Sequence, residues 1–155
     1  MECTYKYNSK IGAVFITADE NNVLEIKFSS DKTNFSSNPL IKKTIKQLNE
    51  YFEGKRIVFD LPLKLQGTEF QQRVWQELQK IRYGEIKTYA EIAEAVGNKK
   101  AARAVGNANN KNNIAIVIPC HRVIGCNGSL TGYSGGTEIK KKLLDLESKC
   151  KIKSV

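Results

Sequence analysis

Alternating hydrophobic and polar positions open the chain and predict a small antiparallel sheet. Residues 3–7 alternate, residues 11–17 are apolar and rich in β-branched side chains, and residues 24–28 alternate again. Polar turn residues separate these three runs. We therefore predict a three-stranded antiparallel meander with one buried face.

A helix and one more strand are predicted to complete the first half of the chain. Apolar positions follow helical spacing from Pro39, which suits a first turn, to Gly54, which suits a helix end. Residues 57–61 are predicted to form the further strand. No group of reactive side chains precedes the link at residues 64–67, so we expect residues 1–64 to be a scaffold domain.

Helical patterns dominate the second half of the chain. Capping-box spacings begin at Thr68 and Thr88, and each is followed by an apolar stripe of helical period. Gly97 is predicted to end the second helix, and Asn98 to cap a third over about residues 99–109. Two short helices joined in this way are typical of a helix-turn-helix.

An α+β fold follows from these patterns. We predict a small N-terminal antiparallel sheet with a helix over residues 1–64. A mostly helical, winged-helix-like domain with a helix-turn-helix is predicted over residues 65–155. The first part carries 10 Lys and Arg against 8 Asp and Glu, and the second carries 15 against 8. A basic half suggests a polyanionic partner, although a role in solubility fits the same charge.

One apolar run, residues 114–118, predicts a buried strand that Pro119 would end. Cys120 and His121, the only histidine of the chain, follow directly. A thiol attacks as the thiolate, and the neighbouring His121 and Arg122 offer a base and a positive charge. Because free cysteine is often simply buried, the pair alone leaves open whether Cys120 is a nucleophile or a packed side chain.

A carboxylate near the end of the chain is the candidate partner of this histidine. Thr137 is predicted to cap the last helix, where Glu147 borders the buried stripe and Lys140 lies two turns away on the same face. An inward-facing carboxylate usually has a partner. Cys120, His121 and Glu147 would then be nucleophile, base and orienting group. A solvated glutamate at a helix end fits the spacing equally well.

The second helix of the predicted helix-turn-helix combines basic with small side chains: Lys99, Lys100, Ala101, Ala102 and Arg103. Small side chains allow a helix to approach DNA closely, and the basic ones would contact phosphates. The same small residues also allow close packing between helices. Both readings stay open from the pattern alone.

Two further segments flank the thiol. Asn112 precedes the predicted strand, where its side chain could tie the helix end to the thiol loop. Residues 125–136 are glycine-rich and contain Tyr133 and Gly135. Glycines let backbone N–H groups face a ligand and tyrosine offers a stacking face, although such loops are also ordinary turns.

Composition excludes several classes of function. The four cysteines form no C-x-x-C pair, and one histidine leaves little to complete a zinc site, so we expect no metal. The polar N-terminus does not resemble a signal peptide, and no apolar run approaches the length that spans a bilayer. We therefore expect a cytoplasmic protein with reduced thiols.

Several spaced motifs together resemble the O6-alkylguanine-DNA alkyltransferase family, also called the methylated-DNA–protein-cysteine methyltransferases. The motifs are Thr88-Tyr89, Gly97-Asn98-x-x-Ala101-Ala102-Arg103-Ala104-Val105-Gly106, Asn112, Ile118-Pro119-Cys120-His121-Arg122-Val123 and Tyr133-Ser134-Gly135-Gly136. The match extends from Thr68 to about Glu147, in the order and spacing of the family. The Pro-Cys-His-Arg-Val core is highly specific, whereas the N-terminal half resembles the family only in the order of its strands and helix.

The resemblance implies roles for the reactive side chains. Cys120 would accept the alkyl group. His121, oriented by Glu147 and acting through a water molecule, would deprotonate it. Tyr89 would donate toward the guanine as charge develops there, and Lys140 would assist near the same pocket.

The resemblance also implies how DNA is held. Arg103 would enter the gap that a flipped nucleotide leaves in the duplex, and Asn112 would brace the thiol loop. The carbonyls of Cys120 and Val123 would bind the guanine amine, and the backbone amide of Ser134 would reach O6. The pocket and the DNA-facing helix would further include Tyr133, Gly135, Ala101 and Ala102.

We therefore expect a single-turnover repair protein that takes the alkyl group from O6-alkylguanine in double-stranded DNA. It is expected to need no cofactor and no protein partner, and to be a monomer. O4-alkylthymine is a second candidate substrate. Two alternatives are a non-catalytic lesion binder of the alkyltransferase-like type and a thiol hydrolase that uses Cys120, His121 and the late carboxylate. At the position of Asn109, some relatives have a bulkier apolar residue over the guanine pocket, so this chain departs from the resemblance there.

Overall fold

The computed structural model describes residues 1–130, 133 and 135–149. The chain begins with three strands, β1 (Cys3–Ser9), β2 (Gly12–Ala18) and β3 (Val23–Lys27). They pair antiparallel in the order β1-β2-β3, with an irregularity between Thr17 and Ala18. The predicted meander is confirmed.

Helix α1 (Pro39–Phe52) packs against this sheet. The Asn38 side chain accepts a hydrogen bond from the Ile41 amide and so caps the first turn, and Pro39 occupies it as predicted. Gly54 follows the helix at a φ of 74°, a conformation that glycine adopts without strain. The predicted helix and both of its ends are confirmed.

The strand predicted over residues 57–61 is wrong. The Gln47 side chain accepts a hydrogen bond from the Asp60 amide at 2.9 Å and donates one to the Asp60 carbonyl at 3.0 Å. These are the backbone groups that a strand ladder would use. Pairing with the sheet is limited to an isolated parallel bridge between Val23 and Leu63.

The second half contains α2 (Glu69–Leu78), β4 (Lys87–Thr88), α3 (Tyr89–Ala95), α4 (Ala102–Asn110), β5 (Val123–Ile124) and α5 (Thr137–Lys149). Both capping boxes form, at Thr68 and at Thr88. Helices α3 and α4 pack together as the helix-turn-helix, and the short strands β4 and β5 pair parallel beside them. The α+β, winged-helix-like fold is confirmed.

Helix α4 begins later than the pattern predicts. Its cap residue is Ala101, and no side chain caps the helix. The Asn98 side chain instead accepts from the Lys100 amide within the preceding turn. The predicted cap at Asn98 and the helix start at Lys99 are therefore wrong. The Asn98 side chain caps the turn before the helix, and the helix itself begins at Ala102.

The strand predicted over residues 114–118 is also wrong, although the segment is buried as predicted. Ile114 makes one parallel bridge with Ile26, and the chain then turns, with the Ile118 amide donating to the Ile114 carbonyl at 3.1 Å. Ile116 adopts a φ of 71°, an unfavourable conformation for a β-branched residue. Apolar packing against both halves buries this segment without a strand ladder.

One hydrophobic core contains residues of both halves, including Ile26, Tyr51, Trp75 and Ile118. The Trp75 indole donates to the Ala108 carbonyl at 2.9 Å, which links α2 to α4. The domain boundary after residue 64 stays a prediction. Within the described part of the chain, no helix is long and apolar enough to cross a membrane.

Candidate active site

The Cys120 thiol lies in a compact 3₁₀ turn of residues 120–122 and is fully buried. Asn112, directly after α4, holds this turn in place. Its amide nitrogen lies 3.1 Å from the Cys120 sulfur and donates to the Ile118 carbonyl at 2.9 Å, while its oxygen accepts from the Ile114 amide at 2.9 Å. The predicted tie between the helix end and the thiol loop is confirmed.

Burial keeps the Cys120 thiol protonated at rest. It raises the pKa of the thiol to about 11, against the opposing effects of the Asn112 hydrogen bond and the nearby Lys140 ammonium. At that pKa, about one thiol in ten thousand is ionised at pH 7. A reaction at this sulfur therefore requires a base that removes the proton.

His121 supplies a nitrogen that suits this task. It is fully buried, and its Nε2 atom lies 2.6 Å from Oε2 of Glu147. Its Nδ1 atom has no hydrogen-bond partner among the described residues. A carboxylate at Nε2 favours the tautomer with the proton there, which leaves the lone pair on Nδ1.

His121 is neutral and Glu147 is ionised at pH 7. Burial lowers the pKa of His121, and its effect exceeds the opposing one of Glu147, so the ring is neutral at pH 7. Burial alone would raise the pKa of the Glu147 carboxyl. The contacts with His121 and Arg122 overcome that effect and bring it well below the usual range. Glu147 is thus an anion beside a neutral histidine.

Glu147 is only 1% exposed, so the reading of it as a solvated glutamate is wrong. Arg122 binds both of its oxygens, with Nε 2.7 Å from Oε1 and Nη2 2.9 Å from Oε2. The Tyr51 hydroxyl donates to Oε2 at 2.6 Å. The predicted pairing with His121 is confirmed, and the carboxylate is fully occupied by donors.

Sequence reasoning missed two of these partners. Arg122 is expected to act on the thiol, but its guanidinium is bound to Glu147 and to the Ile81 carbonyl, the latter at 2.7 Å. Tyr51 belongs to the predicted scaffold half and lies 96 residues from Glu147. Tyr51 lies on the buried stripe of α1, where a tyrosine of the hydrophobic core would also lie. No sequence signal therefore identifies it as a partner of Glu147.

Lys140 and Tyr89 form a second group near the thiol. The Lys140 ammonium lies 3.5 Å from the Tyr89 hydroxyl and over the rings of Tyr89 and Tyr133, at 5.6 and 6.0 Å from their centroids. Burial lowers the pKa of Lys140 to about 8, with Cys120 opposing the shift. Burial also raises the pKa of Tyr89. Both groups are therefore proton donors at pH 7.

Residues of both halves pack together around Gly135. Tyr133 and Val123 are buried. A Cβ atom at Gly135 would come within 3.0 Å of the rings of Phe28 and Tyr133, so a larger residue would require these rings to shift. The Tyr133 ring lies 6.0 Å from that of Phe28, which follows β3. Ser134, the predicted contact to the guanine oxygen, lies outside the described residues.

Asn109 is hydrogen-bonded to the Cys120 carbonyl, a group that the resemblance assigns to the guanine amine. Its amide nitrogen donates to the Cys120 carbonyl at 3.2 Å, and the residue is only 1% exposed. Its side-chain oxygen has no partner within the part of the chain that the structure describes. A guanine amine at the Cys120 carbonyl would therefore meet the Asn109 amide.

The basic helix-turn-helix places its charges on the surface. Arg103, Lys99 and Lys100 are exposed, and Ala102 is half-buried. Ala101 belongs to the hydrophobic core, which agrees with its alternative reading as a site of close helix packing. The predicted contacts of Ala101, Ala102 and Arg103 with DNA stay predictions.

In the described part of the chain, no cluster of three or more His, Cys, Asp or Glu side chains could hold a metal ion. What the site offers is one buried thiol, a neutral histidine with an open nitrogen, and two further proton donors. Fold and site together define a protein with a basic helix-turn-helix and a buried thiol next to a histidine–glutamate pair.

Comparison with known families specifies this class. The ribonuclease-like domain of 6-O-methylguanine DNA methyltransferase matches residues 3–65, and the DNA-binding domain of the same family matches residues 69–149. The chain therefore belongs to the 6-O-methylguanine DNA methyltransferase family. Its second half is the DNA-binding domain of that family.

Curated relatives and solved structures agree. The methylated-DNA–protein-cysteine methyltransferase of Methanosarcina acetivorans is 45% identical, covering 93% of this chain and 97% of the relative. The constitutive enzyme of that name from Bacillus subtilis is 45% identical, covering 88% of this chain and 90% of its own. A crystal structure of the O6-methylguanine methyltransferase of Mycobacterium tuberculosis superposes with a TM-score of 0.88 at 41% identity, covering 96% and 94% of the two chains. A complex with DNA of the protein named OGT from the same organism gives 0.87 at 43% identity, covering 95% and 93%.

Proposed function

We propose that this protein repairs O6-alkylguanine in double-stranded DNA by transferring the alkyl group irreversibly to its own Cys120. The observation that carries the proposal is that the buried Cys120 thiol is followed directly by His121, whose Nε2 atom binds Glu147 while its Nδ1 atom has no hydrogen-bond partner among the described residues. Family membership supports the choice of substrate.

The damaged base must leave the duplex before it can react, because its alkyl carbon lies on a base edge within the stack. Extruding a base costs on the order of a few kcal/mol, which contacts in the protein offset. The exposed Arg103 on α4 fills the gap in the duplex, and the surrounding lysines contact phosphates. These contacts position the DNA, whereas groups around Cys120 select the base.

Transfer begins with the removal of the thiol proton. Nδ1 of His121 takes the proton through a bridging water, and the fixed Glu147 carboxylate stabilises the imidazolium that forms. Because the resting pKa of Cys120 is about 11, this step is a substantial part of the barrier. Lys140 lowers the cost by placing a positive charge near the sulfur.

The thiolate then attacks the alkyl carbon in line with the guanine oxygen. A sulfur–carbon bond forms as the carbon–oxygen bond breaks, and the electron pair of that bond goes to the guanine. Tyr89, next to the Lys140 ammonium, donates toward this charge. The His121 imidazolium then gives up its proton, and the guanine anion takes up a proton on a ring nitrogen, so atoms and charges balance.

The product is a thioether, which water does not cleave, so each molecule reacts once. All side chains of the proposed reaction come from one chain, and we propose a monomer that acts without a cofactor. Because Cys120 must stay reduced to react, we place the protein in the cytoplasm.

Mass spectrometry tests the proposal directly. Incubation with duplex DNA that contains O6-methylguanine is expected to add one methyl group to the protein, located on the peptide with Cys120. The matched control is Cys126→Ala, because Cys126 is a free and exposed thiol. Absence of the methyl group on the peptide with Cys120 refutes the proposal. DNA binding without transfer would identify a lesion binder, and repeated turnover of an ester or amide a hydrolase.

A further inference from the structure

A tyrosine of the N-terminal half reaches the reactive group of the other half. Tyr51 lies in the last turn of α1 and is fully buried. Its hydroxyl donates to Oε2 of Glu147 at 2.6 Å, the same oxygen that binds Nε2 of His121 at 2.6 Å. Neither family membership nor the mechanism above assigns a task to this contact.

The hydroxyl cannot easily move away from the carboxylate. The ring of Tyr51 packs against the rings of Phe52, Phe59 and Tyr83, with centroids 5.4, 5.5 and 6.1 Å away. The contacts with Phe52 and Tyr83 are edge-on, a favourable geometry for aromatic pairs. These three rings fix the position of the hydroxyl relative to α5.

We propose that Tyr51 is a positioning residue for alkyl transfer, whose hydroxyl holds the Glu147 carboxylate where it orients the His121 ring. The proposal rests on the proposed function and deepens it. It also assigns to the N-terminal half a part in the reaction of the second half. Tyr51 acts through Glu147, since its hydrogen bond goes to that carboxylate.

The hydrogen bond has a consequence for proton affinity. Tyr51 shares the negative charge on Oε2, and burial raises its own pKa, so it remains a donor. Without this donor, the carboxylate attracts the proton of an imidazolium more strongly, and the pKa of His121 rises. Other groups that face the pair stay unchanged: Cys120, Arg122, Lys140, Tyr83 and Tyr133.

Tyr51→Phe removes only the hydroxyl and tests this directly. The first measurement is the titration of the imidazole by NMR, which needs no assignment because the chain has one histidine. The midpoint is expected to move to higher pH by about half a unit, which corresponds to about a threefold change in the protonation ratio. The second is the single-turnover rate of methyl transfer against pH, whose acidic limb is expected to move in the same direction.

Tyr7→Phe is the matched control. Tyr7 lies on β1, and its hydroxyl donates to Asn49 of α1, so the variant also removes one tyrosine hydroxyl bond from the N-terminal half. This variant is expected to leave the titration of His121 and the pH profile unchanged. A loss of thermal stability alone, without either shift, is what a merely structural role of Tyr51 would produce.

A double substitution shows whether Tyr51 acts through the carboxylate. In a Glu147→Gln background, the additional Tyr51→Phe change is expected to have no further effect on the titration or the rate. Unchanged profiles in Tyr51→Phe, or equal shifts in both backgrounds, overturn the inference while the wild-type chain still transfers the methyl group. Failure of the wild-type chain to transfer it refutes the proposed function instead, and the NMR titration still tests the contact.

Discussion

Nε2 of the His121 imidazole lies 2.6 Å from Oε2 of the Glu147 carboxylate, and both side chains are almost completely buried. The contact fixes which nitrogen of the ring carries the proton and which one is open. It also places an anion beside the ring that the proposed mechanism protonates. Most of the measurable behaviour of the site follows from this pair.

Replacing the thiol separates binding from reaction. Cys120→Ala is expected to abolish methyl transfer and to retain affinity for DNA that contains O6-methylguanine, because the surface of α4 is untouched. Intact-protein mass spectrometry and fluorescence anisotropy measure the two properties. Loss of binding together with transfer would show that the thiol turn supports the DNA surface.

Removing the carboxylate is expected to destabilise the fold strongly. Glu147→Gln leaves the buried Arg122 guanidinium without its counter-charge, which typically costs about 3–5 kcal/mol. Chemical denaturation at pH 7 measures the loss. Glu138→Gln on the same helix is the control, because Glu138 is exposed and its contact with Lys142 is 3.9 Å long. A loss of similar size in both variants would contradict the assignment.

The same substitution predicts a pH dependence. The pKa of Glu147 is lower in the folded chain than in the unfolded one, so its stabilising effect is present above the unfolded value of about 4.3. That effect is lost as the pH falls further through the folded pKa. The difference in unfolding free energy between the wild type and Glu147→Gln is therefore expected to shrink below about pH 4. Denaturation curves between about pH 2 and 7, a range that includes the unfolded pKa, measure the onset of this loss. A constant difference over this range would mean that the carboxylate does not carry the charge.

Asn112 is expected to matter for both stability and rate. Asn112→Ala removes the bonds to the Ile118 carbonyl, the Ile114 amide and the Cys120 sulfur. Leaving such buried groups unpaired costs about 1–3 kcal/mol each, and methyl transfer is expected to slow by about tenfold or more. The neighbouring Asn113→Ala is the control, because that side chain is exposed. Denaturation and single-turnover rates are compared; equal behaviour of the two variants would refute the bracing role.

Arg103 is expected to act on duplex DNA and not on the chemistry. Arg103→Ala should slow the repair of a duplex far more than the reaction with the free base O6-benzylguanine, since only the duplex has a gap to fill. Lys43→Ala, which removes one exposed charge from α1, controls for net charge. Single-turnover rates with both substrates decide the matter. Equal losses with both would contradict a role in base flipping.

Local signals made part of the fold predictable. The capping boxes at Thr68 and Thr88, and the helix that starts at Pro39, depend on side chains within a few residues of the element they begin. Asn98 shows the limit of such signals, because its amide caps a turn and not the helix. Local chemistry identifies a polar capping residue but not whether it caps a turn or a helix.

Tertiary contacts account for the errors. Residues 114–118 are apolar because both halves of the protein surround them, and periodicity alone cannot distinguish that burial from a strand. Likewise, Gln47 takes up the backbone groups of Asp60 and prevents the strand predicted there. In the site, Glu147 could be paired with His121 from chemistry, but Tyr51 could not, since no local pattern connects α1 with α5.

The contact between Phe28 and Tyr133 around Gly135 bears on what could be cut away from this protein. A fragment that retained only residues 65–155 would keep the sulfur, the imidazole and the arginine of α4. It would lose the aromatic ring that packs against Tyr133 and Gly135. Any attempt to make a smaller repair reagent from this chain therefore has to supply a substitute for Phe28.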